Sequence, residues 1–185
     1  MKSSDFPVSD HSQRPIPNKP PSHAASGYGT GVAIGANTTT YGNGISLGSN
    51  AYSSESTAVG TGVYATSYST AVGYSNSANN YSTALGNLTV ATGKYATSMG
   101  YSTTAQSVAS TVIGQFNRKE GNTASWVATD PLFVIGNGQP AAVAGGQPLL
   151  SNAFVVSKNG DVTMTGKITI PRQGDISMGM FGGQQ

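Results

Sequence analysis

From about residue 27 the chain alternates small, polar and aliphatic positions in a pattern that returns every 12 to 14 residues. Its instances are Gly31-Val32-Ala33-Ile34-Gly35, Gly44-Ile45-Ser46-Leu47-Gly48, Ser56-Thr57-Ala58-Val59-Gly60 and Ser69-Thr70-Ala71-Val72-Gly73, then Ser82-Thr83-Ala84-Leu85-Gly86, Ala96-Thr97-Ser98-Met99-Gly100 and Ser110-Thr111-Val112-Ile113-Gly114. The closing glycines are 13, 12, 13, 13, 14 and 14 residues apart. A short fixed period marks a solenoid, in which each unit buries its face on the next.

The columns predict the kind of coil. Before each Gly stands an aliphatic residue: Ile34, Leu47, Val59, Val72, Leu85, Met99 and Ile113. Thr57, Thr70, Thr83, Thr97 and Thr111 lie two residues earlier. This alternation predicts a short strand with the aliphatic ladder and the Thr column on one side. That side is expected to face the interior, one sizeable aliphatic residue per coil. A second, weaker strand is expected after each Gly, marked by a small residue five positions on: Ser53, Ala65, Ala78, Ala91 and Ala105. Gly35, Gly48, Gly60, Gly73, Gly86, Gly100 and Gly114 are expected at corners with positive φ. Two strands and two turns make one coil of a β-roll. Seven coils at about 4.8 Å span roughly 30–35 Å. So thin a coil needs lateral partners as well as stacking. A homo-oligomer wound around a common axis is therefore expected.

The flanks differ from the repeat. Residues 1–26 hold Pro7, Pro15, Pro17, Pro20 and Pro21, which block helix and central strand. Composition alone fits a flexible leader. Ahead of a repeat shaft it fits an anchor into a larger assembly. After residue 117 the pattern changes to Phe133-Val134-Ile135-Gly136-Asn137-Gly138 and Asn152-Ala153-Phe154-Val155-Val156-Ser157-Lys158-Asn159-Gly160-Asp161-Val162. Asn159-Gly160 between two apolar runs predicts a tight hairpin turn. Ile168-Thr169-Ile170 offers one more strand, stopped by Pro171. All nine Tyr lie between residues 28 and 101, whereas the single Trp and four of the five Phe follow residue 115. Trp126, Phe116, Phe133 and Phe154 are expected as a buried cluster, with the tyrosines outside. The reading is a leader (1–26), a roll (27–117) and a C-terminal β-rich tip or connector (118–185).

The repeat residues resemble the head repeat of YadA-like trimeric adhesins, with Gly31–Gly35, Ser56–Gly60 and Ser82–Gly86 the best matches. The resemblance covers about residues 27–117 and implies an all-β fold, a left-handed parallel β-roll assembled as a homotrimer. In that family the module is an adhesive or structural part of a surface fibre. The segment from Phe133 to Val162 resembles segments that follow such repeats in bacteriophage tail fibres and related appendage proteins. No signal-like apolar stretch, neck motif, heptad stalk or anchor barrel accompanies the repeats. The module is therefore expected on a different chassis from that of the autotransporter adhesins.

Composition narrows the function classes. Ser, Thr and Gly number 24, 20 and 25, and only 9% of residues are charged, with a net charge of +2. A charge-driven nucleic-acid binder is excluded by the shortage of Lys and Arg. Cysteine is absent, so there is no disulfide framework or thiolate chemistry. No apolar run is long enough for a transmembrane helix, and no membrane insertion is expected. His11 and His23 both lie in the leader without cysteine companions, so no metal site is expected. Of the seven acids only Glu55 lies in the repeat, so one roll cannot assemble paired carboxylates for glycoside cleavage. No catalytic residue and no cofactor are assigned. The Thr column does not suggest ice binding, because its neighbour two along is aliphatic and the column is expected to face inward.

The candidate contact residues are Tyr68, Tyr81 and Tyr95, which share a column, and Tyr74 and Tyr101, which each follow a Gly. They form either a corner-packing ladder, the preferred reading, or a surface for glycan or protein. The expectation is a trimeric fibre subunit of a phage or contractile injection system, located on a virion or extracellular appendage. Its leader would dock on a baseplate, capsid or other fibre protein, and it would contact a host surface glycan or protein. A cell-surface adhesin head and a fibre-tip depolymerase are the alternatives.

Overall fold

The computed structural model describes residues 26–167, which contain strands and no helix. The leader before residue 26 and the expected strand at Ile168-Thr169-Ile170 lie outside the described residues. Strands come two to a repeat: β1 (Ser26–Tyr28) and β2 (Val32–Ile34), β3 (Thr39–Tyr41) and β4 (Ile45–Ser49), β5 (Tyr52–Ser54) and β6 (Thr57–Thr61). Next are β7 (Tyr64–Thr66) and β8 (Thr70–Tyr74), β9 (Ser77–Ala78) and β10 (Thr83–Asn87), β11 (Val90–Ala91) and β12 (Thr97–Tyr101), β13 (Thr104–Ala105) and β14 (Thr111–Gln115). The chain ends in β15 (Pro131–Asn137), β16 (Asn152–Ser157) and β17 (Val162–Met164).

Odd-numbered strands β1 to β13 form a seven-stranded sheet. Even-numbered strands β2 to β14, followed by β15, β16 and β17, form a ten-stranded one. Pairing is parallel from coil to coil, so the molecule is a β-solenoid of the roll type. The sequence columns are the structural columns. Thr57, Thr70, Thr83, Thr97 and Thr111 stand in register, as do Val59, Val72, Leu85, Met99 and Ile113.

The direction of those columns corrects the sequence reading. The residues expected as a core ladder, Ile34, Leu47, Val59, Val72, Leu85, Met99 and Ile113, lie on the outer face of the ten-stranded sheet. The Thr column lies there too. Between them the small residue is buried: Ser46, Ala58, Ala71, Ala84, Ser98 and Val112. Opposite stand Thr40, Ser53, Ala65, Ala78, Ala91 and Ala105 of the second sheet, also buried. Two short facing strands joined by tight turns leave room mostly for Ala, Ser and Thr, with Val admitted at Val112 and Val134 near the end of the roll, so the larger side chains point outward.

The inward polar groups are satisfied locally. Ser46 Oγ bonds Ser53 Oγ at 2.8 Å, and Ser98 and Thr103 hydroxyls meet at 2.8 Å. The corner serines tie one coil to the next: Ser69 Oγ donates to Ala78 O and Ser82 Oγ to Ala91 O, each at 2.8 Å. This explains the Ser-Thr-Ala-aliphatic-Gly order: Ser bonds inward, Thr faces out, Ala fills, the aliphatic faces out and Gly closes. The seven closing glycines have the expected positive φ, between 99° and 132°, but Gly48, Gly60, Gly73, Gly86, Gly100 and Gly114 lie inside their strands, one residue before the end, and not at the corner. A Cβ on Gly60 would overlap the carbonyl oxygen of Gly73 in the next coil, so the column needs Gly for space as well as for φ.

The long sheet does not stop at residue 117. Phe133, Val134, Ile135 and Gly136 of β15 pair in parallel register with Thr111, Val112, Ile113 and Gly114. β15 is therefore an eighth rung of the roll, reached after an insertion. β16 and β17 then add antiparallel, and the predicted turn forms, with Ser157 N–H donating to Asp161 O at 2.8 Å. The shorter sheet ends at β13, whose outer edge is met by Asn117. The Asn117 carboxamide takes the Thr104 N–H at 2.7 Å and donates to Thr104 O at 2.9 Å.

Candidate functional site

The described surface offers three features that could contact a partner. The first is the outer face of the ten-stranded sheet. It carries Val32, Ile45 and the Thr column in one rank and the aliphatic ladder in the next, continued by Phe133 and Ile135 on β15. Phe154 pairs with Ile135 and with Met164, so the apolar rank extends onto the hairpin. Val32 is 46% exposed and Ile34 61%. The outward turn of the Thr column removes one argument made against an ice-binding array. The other stands, since the parallel rank is aliphatic and no Thr-x-Thr lattice forms.

The second is aromatic. Tyr68 and Tyr81 stack with centroids 5.4 Å apart and planes at 16°, and Tyr81 meets Tyr95 at 5.6 Å and 40°. All three sit at corners in the left-handed region, φ 60° to 63°, and are exposed. A second ladder, which the repeat columns did not reveal, joins Tyr41, Tyr52 and Tyr64, with Tyr52 and Tyr64 stacked at 4.7 Å and 10°. It went unseen because Tyr41 and Tyr52 are offset by two residues in register, diagonal neighbours rather than one column. Burial, followed by repulsion from Tyr64 and Tyr41, raises the Tyr52 pKa above that of free tyrosine. Tyr74 and Tyr101 are exposed in a common column but are separated by Asn87. Tyr101 packs edge-on against Phe116 at 5.0 Å. Stacking uses the ring faces on each other, leaving edges and hydroxyls to solvent. That favours the stiffening role over a platform for sugar faces.

The third is the insertion between β14 and β15. Its Trp126 is 59% exposed, so the expected buried cluster does not form as one unit. Phe116 is buried against Tyr101, while Phe133 and Phe154 meet at 6.3 Å on the outer face. A loop of this length has too few apolar neighbours to bury an indole, and Trp126 lies instead over the Lys158 ammonium at 4.6 Å. An open cleft of about 280 Å³ is lined by Arg118, Glu120, Thr129, Ser151, Asn152 and Ser157, among others. Among the described residues no three His, Cys, Asp or Glu side chains gather, and no helix is long and apolar enough to cross a membrane.

No protein-family model, curated protein or solved structure matches the chain.

Proposed function

We propose that this chain is a structural and attachment subunit of a homotrimeric fibre, a tail fibre or virion appendage of a phage or contractile injection system. The observation that carries the reading is the outward aliphatic ladder. A rank of Ile, Leu, Val and Met runs along one sheet from β2 to β15, at a spacing set by the strands. Burying each such side chain fully is worth about 1.5–3 kcal/mol, a gain available only to an assembly. A partner must match a rank that repeats at each strand, and a second copy of the same roll has that repeat by construction. The thin Ala/Ser interior supports the same conclusion, since it supplies little burial of its own.

In this reading the roll is the shaft, the leader docks on a baseplate, capsid or neighbouring fibre protein, and the C-terminal strands form the tip or a connector. Host contact, to a glycan or a protein, falls to the exposed corners and the insertion. Three chains by light scattering at micromolar concentration is the expected result, and a monomer would refute the assembly. Deleting residues 1–25 should leave the roll folded and abolish incorporation into the parent particle. Intact particles that still carry the shortened chain would refute the anchor.

A further inference from the structure

The Lys158 side chain is fully buried, at 0% exposure, yet its Nζ has no hydrogen-bond partner. It lies 3.9 Å from Asp130 Oδ2, too far for a hydrogen bond, with the Trp126 ring over it. The Asp130 side chain is itself only 14% exposed. A buried ammonium left in this state is costly, because its lost hydration is not replaced. The backbone nevertheless holds the pair firmly in place. Lys158 N–H donates to Asp130 O at 3.0 Å, and Asn159 N–H donates to Ala128 O at 2.8 Å. Asp130 Oδ2 accepts the Asn122 N–H at 2.7 Å.

We propose that Lys158 and Asp130 condense to a side-chain amide, an intramolecular cross-link between the insertion and the C-terminal hairpin. The first step is transfer of a proton from the ammonium to the carboxylate, which gives the neutral amine that burial favours and the carboxylic acid. The amine lone pair then attacks Asp130 Cγ and forms the new C–N bond. Negative charge gathers on the carboxyl oxygens, and the Asn122 N–H already points at one of them. The C–O bond to the other breaks, and that oxygen departs as water with protons released by the nitrogen. In sum, one ammonium and one carboxylate become one amide and one water. No oxidant, metal or activating co-reactant is consumed. Burial lowers the Lys158 pKa below that of free lysine, with Asp130 opposing it, so desolvation works in the direction the first step needs. The product removes the buried charge, and the cover of Trp126 limits the water needed for reversal.

The position suits such a bond. Asp130 immediately precedes β15, the last parallel rung, and Lys158 immediately follows β16, the first antiparallel strand. A covalent tie there fixes the junction at which the repeat ends.

Intact-mass spectrometry of the denatured full chain tests the proposal. The expected mass is one water below that of the sequence, and the digest should contain a branched peptide joining Lys158 to Asp130. Asp130→Asn should reach the same final mass as the cross-linked parent, losing ammonia instead of water. Lys158→Arg should show the full sequence mass. The proposal is overturned if the parent shows the full sequence mass. It is overturned equally if the water loss survives in Lys158→Arg, which would place it elsewhere, such as a succinimide at Asp161.

Discussion

The Asn117 side chain pairs with the Thr104 backbone as another strand would, taking its N–H at 2.7 Å and donating to its C=O at 2.9 Å. The carboxamide has a peptide's donor and acceptor, so one side chain closes the edge at which the seven-stranded sheet stops. Asn117 also passes the chain onward, because the next backbone N–H, that of Arg118, is taken by Asn152 Oδ1 at 2.9 Å. Open sheet edges invite pairing with other chains, and buried unpaired backbone groups are costly.

Asn117→Leu should therefore cost about 2–4 kcal/mol, since two buried backbone groups lose their partners together. Urea unfolding gives the loss, and amide hydrogen exchange should show the Thr104 N–H losing protection. Unchanged stability with Thr104 still protected would mean that the rest of the insertion closes this edge without Asn117.

The glycine column makes a graded prediction. At Gly73 a Cβ would collide with the Gly86 backbone, and φ is 127°. At Gly160, in the hairpin turn, φ is 91° but a Cβ would meet nothing within 4 Å. Gly73→Ala should cost about 2–5 kcal/mol, combining the left-handed penalty with overpacking. Gly160→Ala should cost about 1–2 kcal/mol from the backbone alone. Equal losses in thermal unfolding would show that coil-to-coil contact at the column contributes nothing.

The period, the two strands per repeat and the positive-φ glycines were legible because each leaves a mark in every copy. The orientation of the faces was not. Alternation shows that Thr70 and Val72 share a side and Ala71 takes the other, but hydrophobicity assigned the inside to Val72. That inference fails where the facing strands leave only an Ala-sized space inside, as at Ala71, and the outer face is itself apolar. The eighth rung escaped for another reason. Its Val134-Ile135-Gly136 follows the pattern, yet the insertion puts Gly136 at 22 residues from Gly114, outside the period. The Trp126–Lys158–Asp130 cluster joins residues on either side of a hairpin, and no local spacing announces it.

Tyr81 tests the corner ladder. It contacts Tyr68 on one side and Tyr95 on the other, at φ 62°. Tyr81→Ala removes two ring pairs, worth about 0.5–1.5 kcal/mol each, and keeps the backbone strain. Tyr81→Gly removes the same pairs but relieves roughly 1 kcal/mol of that strain. The Gly variant should therefore melt above the Ala variant and below the parent. A Gly variant less stable than the Ala one would mean that the corner holds no strain to relieve.

Adjacent residues in one repeat separate the fold from the assembly. Ala71 is fully buried inside the roll, and Val72 is 36% exposed on the outer face. Ala71→Leu should destabilise the roll by about 1–3 kcal/mol or more, because no space exists for three further carbons. Val72→Asp adds no bulk to the interior and leaves the coil hydrogen bonds untouched. It does place a charge in the rank proposed to meet its copies, where three would face a dry interface. The Val72→Asp chain should keep the β circular-dichroism signal of the parent while its mass by light scattering falls towards a single chain. The Ala71→Leu chain should instead lose that signal at lower denaturant concentration. Should Val72→Asp remain fully assembled, the aliphatic ladder would lie outside the interface, and the exposed tyrosine corners would become the surface to test next.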